Sequence, residues 1–362
     1  MIRAIVLLIA SISFISFSSK QPDFIKYSSD TLQFPGETHF RNVRQLTFGG
    51  DNAEAYFSFD GKYLIFQKTD PSNNILCDQI WMGKIPENET DSFIPRLLST
   101  GTGRTTCAFF FPDGKHILYA STHLNSEECP PVPDRSKYGN KYIWPVYSSF
   151  DIFKADIRGK IKKKITKTEG YDAEATISPR GDRMVFTSMR DGDLDLYTMD
   201  LKGKKVNRIT NSLGYDGGAW FSPDGKKILW RASRPKTTEE ISEYKKLLAD
   251  NMVAPTNMEI WICNADGTDQ KQITHLTQAN WAPNFMPDGN IIFCSNHEYK
   301  RGFPFNMYTA NADGSNVTKI SRDKGFDAFP MFSPDGKKIV FSSNRNNGGT
   351  RATNIFIADW VN

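Results

Sequence analysis

The pentapeptide Ser-Pro-Asp-Gly-Lys stands at residues 222–226 and returns at 333–337, with looser copies at 58–62, 111–115, 178–182 and 286–290. A repeat of this length dictates architecture before any other feature does. The copies lie 44 to 67 residues apart, and each sits among short β-branched and aromatic runs. In one unit, residues 170–177 lead into the turn at 178–182, and the runs 183–188 and 195–200 follow. Pro presets the first turn dihedral and Asp-Gly accepts positive φ, so each copy reads as a hairpin between strands. A four-stranded meander cannot cover both its faces alone, and six of them packed radially can. The expectation is an all-β, six-bladed β-propeller over residues 41–362.

The last repeat ends at residues 354–362 with a third strand, and an unassigned fourth-strand pattern opens the first repeat at 42–48. Pairing the two removes two sheet edges. The N-terminal strand is therefore expected to complete the last blade and close the ring.

Residues 1–19 read as a secretory signal peptide: Arg3, an apolar stretch from Ala4 to Ile15, then small residues around Ser18. The apolar stretch is short for a membrane span. Residues 20–40 form an N-terminal segment, and no transmembrane anchor is expected after cleavage. Charge is +4 overall without a block of like charges, which argues against nucleic acid.

Strand alternation puts the Pro-Asp-Gly turns on one face, the bottom. Two long insertions, about 123–150 and 234–257, fall on the other. Elaborated loops on one face of a rigid repeat mark the binding face. In the first insertion, Cys129-Pro-Pro and the run 142–147 are expected to fold over the channel, as a plug or a lining. In the second, Thr237 and Glu240 fit a capping box, and Ile241, Tyr244, Leu247 and Leu248 follow at helical spacing.

Aligning the repeats places Asn52, Thr105, Asp172, Asp216, Asn280 and Asp327 at the top of the channel. Two positions further in stand Glu54, Cys107, Glu174, Gly218, Ala282 and Phe329. The polar ring has two readings: side chains capping local turns, or a site for a cation or the basic end of a peptide. The candidate ligand-binding residues are Asn52, Glu54, Arg104, Thr105, Asp172, Glu174, Asp216, Asn280 and Asp327, with Arg104 as internal counter-ion. Cys77, Cys107 and Cys129 all map to the top, where a disulfide among the three is expected, Cys107–Cys129 being preferred because it ties the insertion to the channel mouth; Cys263 and Cys294 read as buried thiols.

Enzyme signatures are missing. There is no Gly-x-Ser-x-Gly elbow, no His-Glu-x-x-His and no Cys-x-x-Cys, and the five histidines are scattered. No catalytic residue, metal ligand or cofactor is nominated.

The Leu-Thr before each inner strand, the Ser-Pro-Asp-Gly-Lys turn and endings such as residues 260–267 resemble the TolB-type propeller repeat. Residues 103–107, 129–131 and 231–235 resemble bacterial TolB-like, biopolymer-transporter-type periplasmic proteins. The resemblance implies a protein of the periplasm or cell envelope that binds an envelope protein or peptide, or a polysaccharide, as a monomer. The competing class is a metal-assisted polysaccharide lyase or hydrolase using channel-mouth carboxylates.

Overall fold

The computed structural model describes residues 32–88, 91–139, 141–300 and 302–362. The signal peptide and most of the N-terminal segment lie outside the described residues. Six four-stranded antiparallel sheets form the blades of a propeller. Their inner strands are Asp51–Phe57, Thr105–Phe110, Asp172–Ile177, Asp216–Phe221, Asn280–Phe285 and Asp327–Phe332, in blades 1 to 6.

Ring closure follows the expected route. Phe40–Gln45 runs antiparallel to Asn354–Trp360, with Phe40 opposite Trp360 and Gln45 opposite Phe356. Phe40 and Val43 are fully buried, so the closing strand is anchored by its apolar side chains as well as its ladder. Ahead of it, the Glu37 carboxylate is buried against Arg345 at 3.0 Å, and the same guanidinium reaches Asp327 at 3.0 Å.

Each bottom turn is locked by its own side chains. In residues 222–226 the Ser222 hydroxyl donates to Asp224 at 2.6 Å, and the Asp224 carboxylate accepts from the Lys226 amide at 3.0 Å. The same bonds recur at Ser58 with Asp60 and at Ser333 with Asp335. This is why Ser and Asp accompany the turn's Pro and Gly. Between blades, apolar faces interlock: Val185 and Leu196 of blade 3 pack with Phe221, Ile228 and Trp230 of blade 4. Emptying the space of fully buried Trp230 would cost about 3–5 kcal/mol.

Both insertions rise from second-to-third connections. The second contains the helix Thr238–Ala249, whose N-cap Thr237 and Glu240 form a reciprocal capping box, and it docks through Tyr244 and Leu247. The two insertions also pair with each other: Trp144–Pro145 forms a short antiparallel ladder with Met252–Val253. Tyr138 bonds Asp250 and Lys141 pairs with Glu243 across the same seam. Blade 2's loop is thereby held over the ring by blade 4's.

Candidate ligand cup at the top of the channel

Every inner strand carries the same irregularity. The register with the second strand slips between Ala53 and Tyr56, and at the corresponding points of the other five blades. At each slip one residue is left-handed: Glu54 (φ 55°), Cys107 (49°), Glu174 (56°), Gly218 (62°), Ala282 (46°) and Phe329 (54°). A bulge re-aims a side chain, and non-glycine residues hold this conformation at a cost of about 1 kcal/mol or more each.

The polar ring above the bulges is buried. Asn52, Thr105, Asp172, Asp216, Asn280 and Asp327 are all buried, at most 1% exposed. Asp172 accepts from Arg190 at 2.9 Å, Asp216 from Arg234 at 2.7 Å, and Asp327 from Arg345 at 3.0 Å. Asp216 also takes the Trp230 indole N–H at 2.6 Å. Asn52 and Asn280 donate to backbone carbonyls of Gly49 and Met258, and Thr105 to that of Asp78. Asn52, Thr105 and Asn280 thus bond the local backbone, while each of the three aspartates pairs with an arginine. Burial pushes the Asp216 carboxyl up to about 7, against the pull of Arg234.

Arg104 departs from its expected role. It lies just before blade 2's inner strand and pairs at 2.5 Å with Asp78 on blade 1's third strand rather than with the channel carboxylates. The internal counter-ion is Arg231, from blade 4's second strand. Its Nη2 donates to Glu174 at 3.2 Å and to the Tyr215 hydroxyl at 2.9 Å. Tyr215 in turn donates to Glu174 at 2.7 Å, and Tyr171 donates to it at 3.0 Å. Two glycines make room: a Cβ on Gly217 would sit 2.2 Å from the Tyr215 hydroxyl, and one on Gly218 3.2 Å from Arg231 Cζ. The Gly217-Gly218 doublet and the aromatic residue before each channel Asp (Tyr171, Tyr215, Phe326) were the available sequence signals for this cluster.

Glu54 stands on the neighbouring arc. Tyr56 donates to it at 3.4 Å and the Cys107 thiol bonds it. It keeps part of its surface open to the channel, yet its carboxyl lies deep among protein atoms. Burial pushes it up to about 7; Glu174 adds to the rise, and the thiol bond and Arg231 oppose it. Burial and the two nearby glutamates hold the Cys107 thiol well above its ordinary range. The Tyr171 and Tyr215 phenols are likewise raised and remain neutral donors.

Below this level the channel is shut. Tyr56 of blade 1 and Trp220 of blade 4 stand on opposite sides of the ring, yet their rings meet edge-on at 4.8 Å. Phe109 closes on Trp220 at 5.2 Å. Above, Trp144 from the blade 2 insertion covers Arg231 at 5.3 Å and meets Trp281 at 5.7 Å. Trp281 stacks on Phe305 at 4.5 Å, and Phe305 leads to Phe303 and Phe326. Phe303 is 65% exposed and Tyr142 is 53% exposed. The insertion therefore lines and partly roofs the channel. What results is a cup with an aromatic floor, a Glu–Tyr–Arg wall and an aromatic rim.

The disulfide joins Cys77 to Cys129, with Cα atoms 5.9 Å apart, and not Cys107 to Cys129. Cys107 is free because its bulge turns the thiol toward Glu54 inside the channel, while Cys77 begins blade 1's third strand on the rim. Cys263 and Cys294 are buried free thiols.

The profile of the TolB beta propeller domain matches residues 139–247 and 238–357. No curated protein sequence matches the chain significantly. Among solved structures, one assigned as TolB from Agrobacterium tumefaciens is 17% identical, with a TM-score of 0.54 over 86% of this chain and 91% of that one. TolB from Acinetobacter baumannii is 18% identical, with a TM-score of 0.55 over 84% of this chain and 65% of that one. Oligogalacturonate lyase from Vibrio parahaemolyticus is 13% identical, with a TM-score of 0.51 over 88% and 93%. At these identities the structures speak to fold alone, while the profile covers more than half of the chain. The chain belongs to the TolB β-propeller domain family.

Proposed function

We propose that this protein is an exported, non-catalytic propeller that captures a protein segment or an envelope polymer in the cup at the top of its channel. The observation that carries the reading is the cup itself: shut below by Tyr56 and Trp220, and rimmed by aromatic side chains left uncovered at Phe303 and Tyr142. Uncovered aromatics beside fixed polar groups are the ordinary composition of a recognition site. The leader-like residues 1–19 support export to the periplasm or cell envelope, and membership in the TolB β-propeller family agrees with it. Among the described residues no helix is long and apolar enough to cross a membrane.

The lyase or hydrolase alternative asks channel-mouth carboxylates to bind a metal or move protons. Asp172, Asp216 and Asp327 are each engaged by an arginine and buried, which weighs against that role for them. Affinity capture from envelope extract tests the proposal. Wild-type protein should retain a ligand that a Tyr142→Ser, Phe303→Ser double variant loses and a bottom-face Lys226→Glu variant keeps. Equal capture by all three, or cleavage of oligogalacturonides by the wild type, would overturn it.

A further inference from the structure

Resting on the cup as the binding site, we infer that the captured segment presents an ammonium group and that Glu54 receives it. Six carboxylates stand on the upper parts of the inner strands; four of them already hold a cation, and of the other two Asp51 lies exposed at the strand's start while Glu54 lies inside. Asp172 has Arg190, Asp216 has Arg234, Asp327 has Arg345 and Glu174 has Arg231, all within 3.2 Å. Glu54 has no cation within 4 Å among the described residues; its partners are the Tyr56 hydroxyl and the Cys107 thiol.

The imbalance is built into the ring. On either side of Glu54 the equivalent bulge positions hold Cys107 and Phe329, which bring no positive charge. The nearest guanidinium, Arg231, is engaged by Glu174 and Tyr215 on the facing wall. Once Glu54 ionises, two carboxylates against one guanidinium leave one negative charge uncompensated in a site of low polarity, and an arriving cation removes that penalty.

Shape selects the kind of cation. The planar slot between Trp144 and Tyr215, at 5.3 and 5.6 Å, is filled by Arg231's own guanidinium. Glu54 stands two residues above Tyr56 on the same strand, and Tyr56 meets Trp220, so a compact ammonium with three donors would meet a carboxylate and aromatic faces together. The other groups near Glu54 are Tyr56, Cys107, Glu174, Arg231 and Asp78, with Tyr171 and Tyr215 bonded to Glu174. The phenols and thiol among them are held neutral by burial, so they do not compete for the charge.

A lysine side chain and a peptide amino terminus share this chemistry. Three probes separate them: free-amino Gly-Phe-Gly amide, acetyl-Gly-Phe-Lys amide, and acetyl-Gly-Phe-Gly amide as the neutral control. Binding is read by calorimetry and by the fluorescence of Trp144 and Trp281. At least one ammonium probe should bind about tenfold or more tighter than the neutral one, and Glu54→Gln should erase that difference while the thermal melt stays cooperative. The lysine probe should tighten from pH 6 to pH 8 as Glu54 ionises. The amino-terminal probe should fade above about pH 8, where an α-amine loses its proton. Failure of every probe to bind, or a preference unchanged in Glu54→Gln, overturns the inference. Equal binding of all three, lost together in Trp144→Ala, overturns the ammonium while leaving capture at the cup intact.

Discussion

Arg231 reaches Glu174 from a different blade, at 3.2 Å, through space that Gly217 and Gly218 leave open. At the other bulge positions a side chain enters the channel from its own inner strand. In blade 4 the group that enters comes from the second strand, and the missing Cβ atoms are its passage.

That passage makes the two glycines unequal. Gly217→Ala puts a methyl 2.2 Å from the Tyr215 hydroxyl and 2.7 Å from Glu174, so the wall has to move. Its expected cost is about 1–3 kcal/mol. Gly218→Ala meets only the flexible guanidinium at 3.2 Å and should cost less, about 1 kcal/mol. Urea unfolding of both variants checks the order.

The Asp–Arg locks should behave as units. Arg190→Met strands the buried Asp172 carboxylate, and its expected cost is about 3 kcal/mol or more. Adding Asp172→Asn removes the stranded charge, so the double variant should be more stable than Arg190→Met alone. A double-mutant cycle measures the coupling, expected at about 0.5–3 kcal/mol.

Glu54 gives the fold a pH dependence of known sign. Its carboxyl sits at about 7 in the folded chain against an ordinary 4.5. Between those values the folded state holds a proton that the unfolded state has released, so stability falls as pH rises through that window. The slope is at most about 1.4 kcal/mol per pH unit, less what contact with the open channel screens away. Glu54→Gln should therefore melt higher than wild type at pH 8 and equally at pH 4. Calorimetric scans at the two pH values decide it.

The Cys77–Cys129 bridge closes a loop across 52 residues. Chain-entropy arguments give it about 4 kcal/mol. Cys129→Ser should lower stability toward that extent and loosen the insertion that carries Trp144. Non-reducing peptide mapping should find this pair linked and Cys107 free.

The fold was legible because its signal is redundant. Six copies of one turn, three of them with Ser and Asp making the same bonds, announce blade number and register without reference to anything distant. Closure by residues 40–45 was legible for a similar reason, since a missing strand at one end matched a spare one at the other. The capping box at Thr237 and Glu240 is local too. What alignment could not supply was direction. It placed Asp172, Asp216 and Asp327 at the channel top but not the arginines that bury them, each 18 residues downstream and just past the end of the next strand. It placed Cys107 near Cys129 but not the bulge that turns the thiol inward. It singled out Arg104 by adjacency, whereas Arg231 arrives through a pair of glycines whose meaning appears only in three dimensions. Glu54 and Glu174 were found; their inequality, one paired with an arginine and one not, was not.

Site-directed photocrosslinking in intact cells tests the central claim most directly. A photoreactive phenylalanine analogue is placed at Phe303 on the rim and, in a second protein, at Lys226 in a bottom turn. Capture at the cup requires a discrete crosslinked product from position 303 that is absent from position 226 and disappears when Trp144→Ala is added. Crosslinks from position 226 alone, or from neither position in a folded, exported protein, would contradict it.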